Sequence, residues 1–339
     1  MTAPTRVPGK GGKLPYDHGK VNLHLDENHL MGAGIPATPD QIDNITQVFQ
    51  MAPGLPMMLN NNIGDCVWAM IGHAIQIFTA ASGNEQVPTD EAIQQAYSAV
   101  TGYDPSQTDS EGNNPTDTGT NVQMALEYWQ KVGIRLPDGT MDKIVAFAQV
   151  DQRNLPLVRA AMQEFRLVLI GIDLPASAED QFAQHQTWEV VEGSPSLGGH
   201  AVLNGAYKTV SDTDKELEFT DATWAELIEM SQSFWQQRVD EAWVVVRKDQ
   251  EVTSQWKEDF QAITGRAFPQ DEPVDPPAPV DPPAPVDPPV VTHRIAGLEE
   301  FVAAARHWMQ HRHVGYNLNF EESLLQFFDT NAISPDGGR

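Results

Sequence analysis

One cysteine, Cys66, occurs in 339 residues, so no disulfide can form within the chain and cysteine usage does not identify a redox compartment. Basic residues are also scarce. Lys and Arg total 21 against 47 Asp and Glu, a formal net charge of -26. Such a surface repels a phosphate backbone, whose binding depends on Lys and Arg contacts that release counterions, and this argues against nucleic acid as a partner. No run approaches the roughly eighteen apolar residues of a membrane span. The segment from Met1 to Lys13 is polar and broken by Gly and Pro, without an apolar signal core, so no export signal is recognised and a cytoplasmic location is expected.

What is present is unevenly distributed. Residues 1–52 are rich in Gly, Pro, His and Asp and read as an extended N-terminal arm. Residues 53–268 carry globular patterning in two halves. The first is helical, with apolar spacing over Cys66 to Ala80, Thr89 to Val100, Thr120 to Val132 and Asn154 to Phe165. Thr120 and Gln123 are spaced as a capping box for the third of these. The second half reads as strands at Leu167 to Leu174, Ala201 to Tyr207, Leu217 to Thr220 and Ala242 to Val246, with a helix expected over Trp224 to Arg238. Helices followed by strands predict an α+β fold, a helical lobe and then an antiparallel sheet lobe. Residues 269–291 repeat Val-Asp-Pro-Pro and read as a stiff polyproline linker. Residues 292–339 carry two amphipathic stripes, Leu298 to Ala305 and Phe320 to Phe328. So short a pair cannot bury a core alone, and a helical module that docks on a protein partner or self-associates is expected.

The chemistry concentrates at two places. Cys66 follows the polar turn Asn60-Asn61-Asn62-Ile63-Gly64-Asp65 and opens an apolar-periodic helix. With Asp65 as N-cap, the thiol lies in the first turn, where free N–H groups and the helix dipole favour a thiolate and can serve a tetrahedral oxyanion. Asn60 supplies a further side-chain donor just upstream. His200, in Leu197-Gly198-Gly199-His200-Ala201-Val202, begins a strand where two glycines allow close backbone approach. Asp221, after the next strand, is placed to hold an imidazole tautomer, or simply to cap Thr223 and Trp224.

Asp-Cys opening a helix, an amide side chain six residues upstream and Gly-His-Ala-Val on a later strand resemble the papain-like cysteine peptidases, over about residues 55–248. The likeness is to the branch that processes bacteriocin leader peptides, and to papain-like proteins of actinobacterial phages. It implies a papain-like fold in which Cys66 is the nucleophile, His200 the base, Asp221 its orienting group and Asn60 the oxyanion donor. It also implies a peptide or protein substrate, and no cofactor. Asn60 stands where the family usually has Gln. Papain's Asn two residues before a Trp is matched here by Ala222 before Trp224.

Other readings remain open beside this one. A particle component that keeps the fold without the activity would suit the arm, the linker and the C-terminal module. A metal protein is a third reading. His307 and His311 have zinc-protease spacing, but Trp308 replaces the required Glu. His73 lacks a second cysteine for a Cys/His zinc site, and the acidic loop from Asp104 to Asp117 does not reproduce a calcium loop.

Overall fold

The computed structural model describes residues 9–31, 34–51, 53–210 and 216–269. From residue 270 on, the proline-rich linker and the C-terminal stripes lie outside the described residues, as do His307, His311 and His313. The described part belongs to one compact unit, Met1–Glu272, distinct from Pro273–Arg339.

Its elements run β1 (Gln41–Asp43), α1 (Thr46–Gln50), α2 (Cys66–Ala81), α3 (Asp90–Thr101), α4 (Val122–Lys131), β2 (Ile134–Arg135), β3 (Met141–Asp142), β4 (Ala146–Gln149) and α5 (Leu155–Phe165). Then follow β5 (Val168–Pro175), α6 (Ala176–Ala183), β6 (Ser196–Thr209), β7 (Leu217–Thr223), β8 (Glu226–Ser231), α7 (Gln232–Arg238), β9 (Val239–Val246) and α8 (Ser254–Thr264). The α+β expectation holds. The main sheet has the order β4-β9-β5-β6-β7-β8, antiparallel throughout, and β1 joins the far half of β6 beyond the end of β5.

The continuous apolar run of β5 is explained by burial on both faces. Val168, Ile170 and Ile172 enter one core with α5 residues such as Val158 and Met162. Leu167 and Leu169 enter another with α2, α3 and α4. In α2 every residue from Cys66 to Phe78 is buried, as expected for a helix wedged between a sheet and other helices.

Two expectations about local structure are corrected. The cap of α4 is Asn121, whose side chain accepts from the Met124 N–H, and Thr120 instead accepts a hydrogen bond from the Trp68 indole. Trp224 to Arg238 is not one helix. Trp224 and Ala225 both have positive φ (48° and 61°) and form the two-residue turn of a β7–β8 hairpin, closed by Thr223 opposite Glu226. Helical spacing resumes only at α7. A primed turn normally carries Asn-Gly, so this Trp-Ala pair is locally strained and gave no turn signal.

Candidate active site

Cys66 is the first residue of α2 and Asp65 occupies the N-cap position, but the Asp65 side chain makes no capping hydrogen bond. Its carboxyl is buried, and burial pushes its pKa well above the usual range. The turn before it is tied down otherwise. The Gly64 N–H donates to both oxygens of Asp117 (2.9 and 3.1 Å), and the Tyr97 hydroxyl donates to Asp117 as well (2.6 Å). The helix is pinned by the Trp68 indole on Thr120 (2.9 Å).

His200 lies on β6, the strand packed against α2 in the second core. The Ala201 backbone N–H acts to lower the Cys66 pKa against the effect of burial, so the residue next to His200 adjoins the nucleophile candidate. No hydrogen bond joins Cys66 to His200: the Nδ1 atom of the imidazole has no partner. Nε2 lies 2.7 Å from the Thr223 hydroxyl, and the ring stacks on Trp224 with centroids 4.6 Å apart. The strained turn thus puts its Trp against the imidazole.

Asp221 is elsewhere. It lies inside β7, in register with Asn204, and makes no hydrogen bond to His200. Burial pushes its carboxyl up to about 8, a protonated acid at neutral pH. The pleat explains this: moving two residues along β7 keeps the same face but advances the side chain by about 7 Å, and it is Thr223 that comes level with the ring.

The buried Asn60 side chain is shared between its own turn, where Nδ2 donates to the Ile63 carbonyl (3.3 Å), and the N-terminal arm. Its Nδ2 donates to the Lys10 carbonyl (2.9 Å), while the Lys10 N–H donates to the Asn60 carbonyl (2.6 Å). Further on, the Lys13 N–H donates to the Gly199 carbonyl (3.1 Å), the Leu14 N–H to the Thr120 carbonyl (3.0 Å), and the Thr120 N–H to the Gly12 carbonyl (2.7 Å). Residues 9–14 therefore run extended between the helical wall at Asn60, Gly64 and Thr120 and the sheet wall at Gly199 and Trp224. A Cβ on Gly12 would overlap the Gly64 carbonyl, and one on Gly9 would overlap the Trp224 indole. The Gly-Lys-Gly-Gly run of the arm matches the narrowness of this channel.

In this setting Cys66 and His200 are both neutral. Burial pushes the Cys66 thiol up to about 12; burial, with the Lys13 charge added, pushes His200 down to about 3.

The fold matches that of a solved structure. Xylellain, a cysteine protease from Xylella fastidiosa, superposes with a TM-score of 0.52 at 15% identity, over 73% of this chain and 99% of xylellain. This chain has the fold of the papain-like cysteine proteases. A procathepsin B from Trypanosoma congolense matches with a TM-score of 0.47 at 9% identity, over 70% of this chain and 85% of that one. No protein-family model and no curated protein matches the sequence.

The remaining candidates take local roles in this papain-like domain. His73 is buried with Nε2 on the Pro56 carbonyl (2.6 Å), and burial pushes its pKa down to about 4. In the acidic loop Asp104 and Asp109 accept from their own loop's N–H groups. Among the described residues no group of three or more His, Cys, Asp and Glu side chains could hold a metal, and no helix is long and apolar enough to cross a membrane. Sequence reasoning missed Thr223, the Ala201 N–H and the arm's place in the cleft. The glycine run at 9–12 was the available signal for the last.

Proposed function

We propose that the domain is a cysteine peptidase, described here in a latent form in which its own arm fills the cleft. The observation that carries the reading is the path of residues 9–14. An extended main chain passes Asn60, Gly64 near Cys66 and Gly199 next to His200, with one carbonyl on the amide of the proposed oxyanion donor. With the arm withdrawn, His200 takes the Cys66 proton through its free Nδ1, and the thiolate attacks a peptide carbonyl carbon. Asn60 Nδ2 and the N–H groups opening α2 stabilise the oxyanion. The imidazolium then protonates the leaving amine, and water hydrolyses the thioester, releasing the acid and restoring the thiol. In this scheme Thr223, with Trp224 against the ring, orients the imidazole in place of Asp221. The likeness to bacteriocin-leader processing therefore loses its Asp but keeps its Cys, His and amide. A protein precursor and a peptidoglycan peptide are the substrate types under this reading.

The rival is a phage-particle or other assembly protein that keeps the fold without activity. It is favoured by the nearly complete burial of Cys66 and His200 (1% and 0% exposed). Iodoacetamide labelling at neutral pH separates the two. The parent chain should label slowly and Gly12→Val, which cannot seat the arm, rapidly. Slow labelling of a folded Gly12→Val protein would favour the assembly reading.

A further inference from the structure

The arm's route through the cleft includes a side-chain pocket, and its chemistry is specific. Lys13 is 5% exposed, although Gly12 before it is only half-buried and Leu14 after it is exposed. Its ammonium lies 3.1 Å from Glu241 Oε1 and 2.9 Å from Asp240 Oδ2. Glu241 is completely buried, and its second oxygen accepts from the Trp243 indole (2.8 Å). Adjacent strand residues ordinarily point to opposite faces, but here two consecutive acids converge on one cation. The cause is the bulge in the β5–β9 pairing, where Gly171 faces Glu241 and Ile172 faces Val239, leaving Asp240 as the extra residue. Room for the lysine stem comes from Gly171, where a Cβ would come within 2.6 Å of both the Lys13 Cδ and the Glu241 Cγ.

We infer that this pocket, floored by Glu241 and rimmed by Asp240, is the specificity pocket of the cleft, and that it selects a lysine or arginine side chain in the substrate. The inference rests on the peptidase reading and names its substrate class. When the arm leaves, a buried carboxylate loses its only cationic partner among the described residues, and the group that best restores the pairing is another extended chain carrying a basic side chain. The main-chain bonds around Lys13, its own N–H on the Gly199 carbonyl and the Leu14 N–H on the Thr120 carbonyl, are indifferent to sequence. Selection therefore falls to the pocket. Burial works against the charge on Lys13, but Glu241 and Asp240 more than offset this and hold its pKa above the ordinary value, so the occupant is a cation at neutral pH.

The test does not require turnover. A fluorescent peptide of residues 9–20 is titrated into full-length Cys66→Ser/Gly12→Val protein, beside the same peptide with norleucine in place of Lys13. Gly12→Ala replaces Gly12→Val if the larger residue lowers expression or melting temperature. The lysine peptide should bind at least about tenfold more tightly, and Glu241→Gln in the protein should remove most of that difference. Equal affinities, or a preference that survives Glu241→Gln, would overturn the inference. Failure of the peptidase reading looks different: the preference would persist while Cys66 in Gly12→Val protein stayed inert to iodoacetamide.

Discussion

Two stretches of the N-terminal arm are held by opposite means. Residues 9–14 carry no buried apolar side chain; they are seated by main-chain hydrogen bonds to both cleft walls and by the Lys13 ion pairs. Residues 23–30 are anchored in the core through Leu23, Leu25 and Leu30, with His29 bonded to Asp26 (2.9 Å) and Asp259 (3.0 Å) and its carbonyl accepting from the Trp256 indole (3.0 Å). Main-chain hydrogen bonds exchange with water at small net cost, and the channel vacated by the arm lets water reach Glu241, whereas withdrawing buried leucines returns apolar surface to water. The first stretch can therefore open while the second stays, and the arm combines a removable plug with a structural strap.

The largest effect expected from breaking this contrast is on thiol reactivity. Gly12→Val should raise the rate of Cys66 modification by iodoacetamide at neutral pH by roughly two orders of magnitude, since a buried thiol held near 12 becomes exposed beside a free imidazole. The melting temperature should fall no further than in Lys13→Met protein, which loses the same ion pairs, and a larger fall would mean that residues 9–14 belong to the strap.

The converse substitution is Leu30→Ala. Leu30 is 1% exposed in the core with Phe165 and Trp256, and truncation should cost about 2–5 kcal/mol of unfolding free energy in denaturant titration. Labelling measured well below the transition should stay close to that of the parent.

Acid sharpens the same division. His200 under the seated arm is depressed to about 3 from an ordinary 6.5. The seated state thus has its full advantage above pH 6.5 and loses it as pH falls through the interval down to about 3, because the opened imidazole binds a proton there and the covered one does not. Protease cleavage between residues 9 and 20 should accordingly speed up from pH 7 to pH 4.5, and His200→Ala should flatten that dependence.

The smallest effects compare the two candidates for the orienting role. In Gly12→Val protein, Thr223→Ala should slow the labelling of Cys66 several-fold by freeing the imidazole, with a shifted pH profile. Asp221→Asn should leave the labelling rate unchanged. It should also stabilise the fold at pH 8, because a carboxyl raised to about 8 contributes stability below about pH 4 that is lost as pH rises toward 8. A labelling rate sensitive to Asp221→Asn alone would restore Asp221 to the site.

The helix at Cys66, the apolar part of the strand at His200 and the apolar run of β5 were legible because each is a local pattern: a polar turn before a fully apolar helix, an apolar run after a glycine pair, alternation lost through burial on both faces. β6 itself begins earlier than expected, at Ser196, so Gly198, Gly199 and His200 lie within the strand and not before or at its start. The expected helix over Trp224 to Arg238 failed because strand pairing imposed a primed turn on residues with no turn propensity. The choice between Thr223 and Asp221 also lay beyond the sequence, since both face one side of β7 and only the register with β6 decides which comes level with the imidazole.

The sequence by itself determined the α+β layout, the residue types available for chemistry and the order Cys before His, because periodicity and capping are properties of neighbouring residues. Only the tertiary structure decided that the arm lies in the cleft, that Lys13 meets Glu241, and that Thr223 meets His200. Those contacts join residues far apart in the chain, and their geometry follows from sheet register, a single bulge and the close approach of backbones across glycine, none of which leaves a periodic trace.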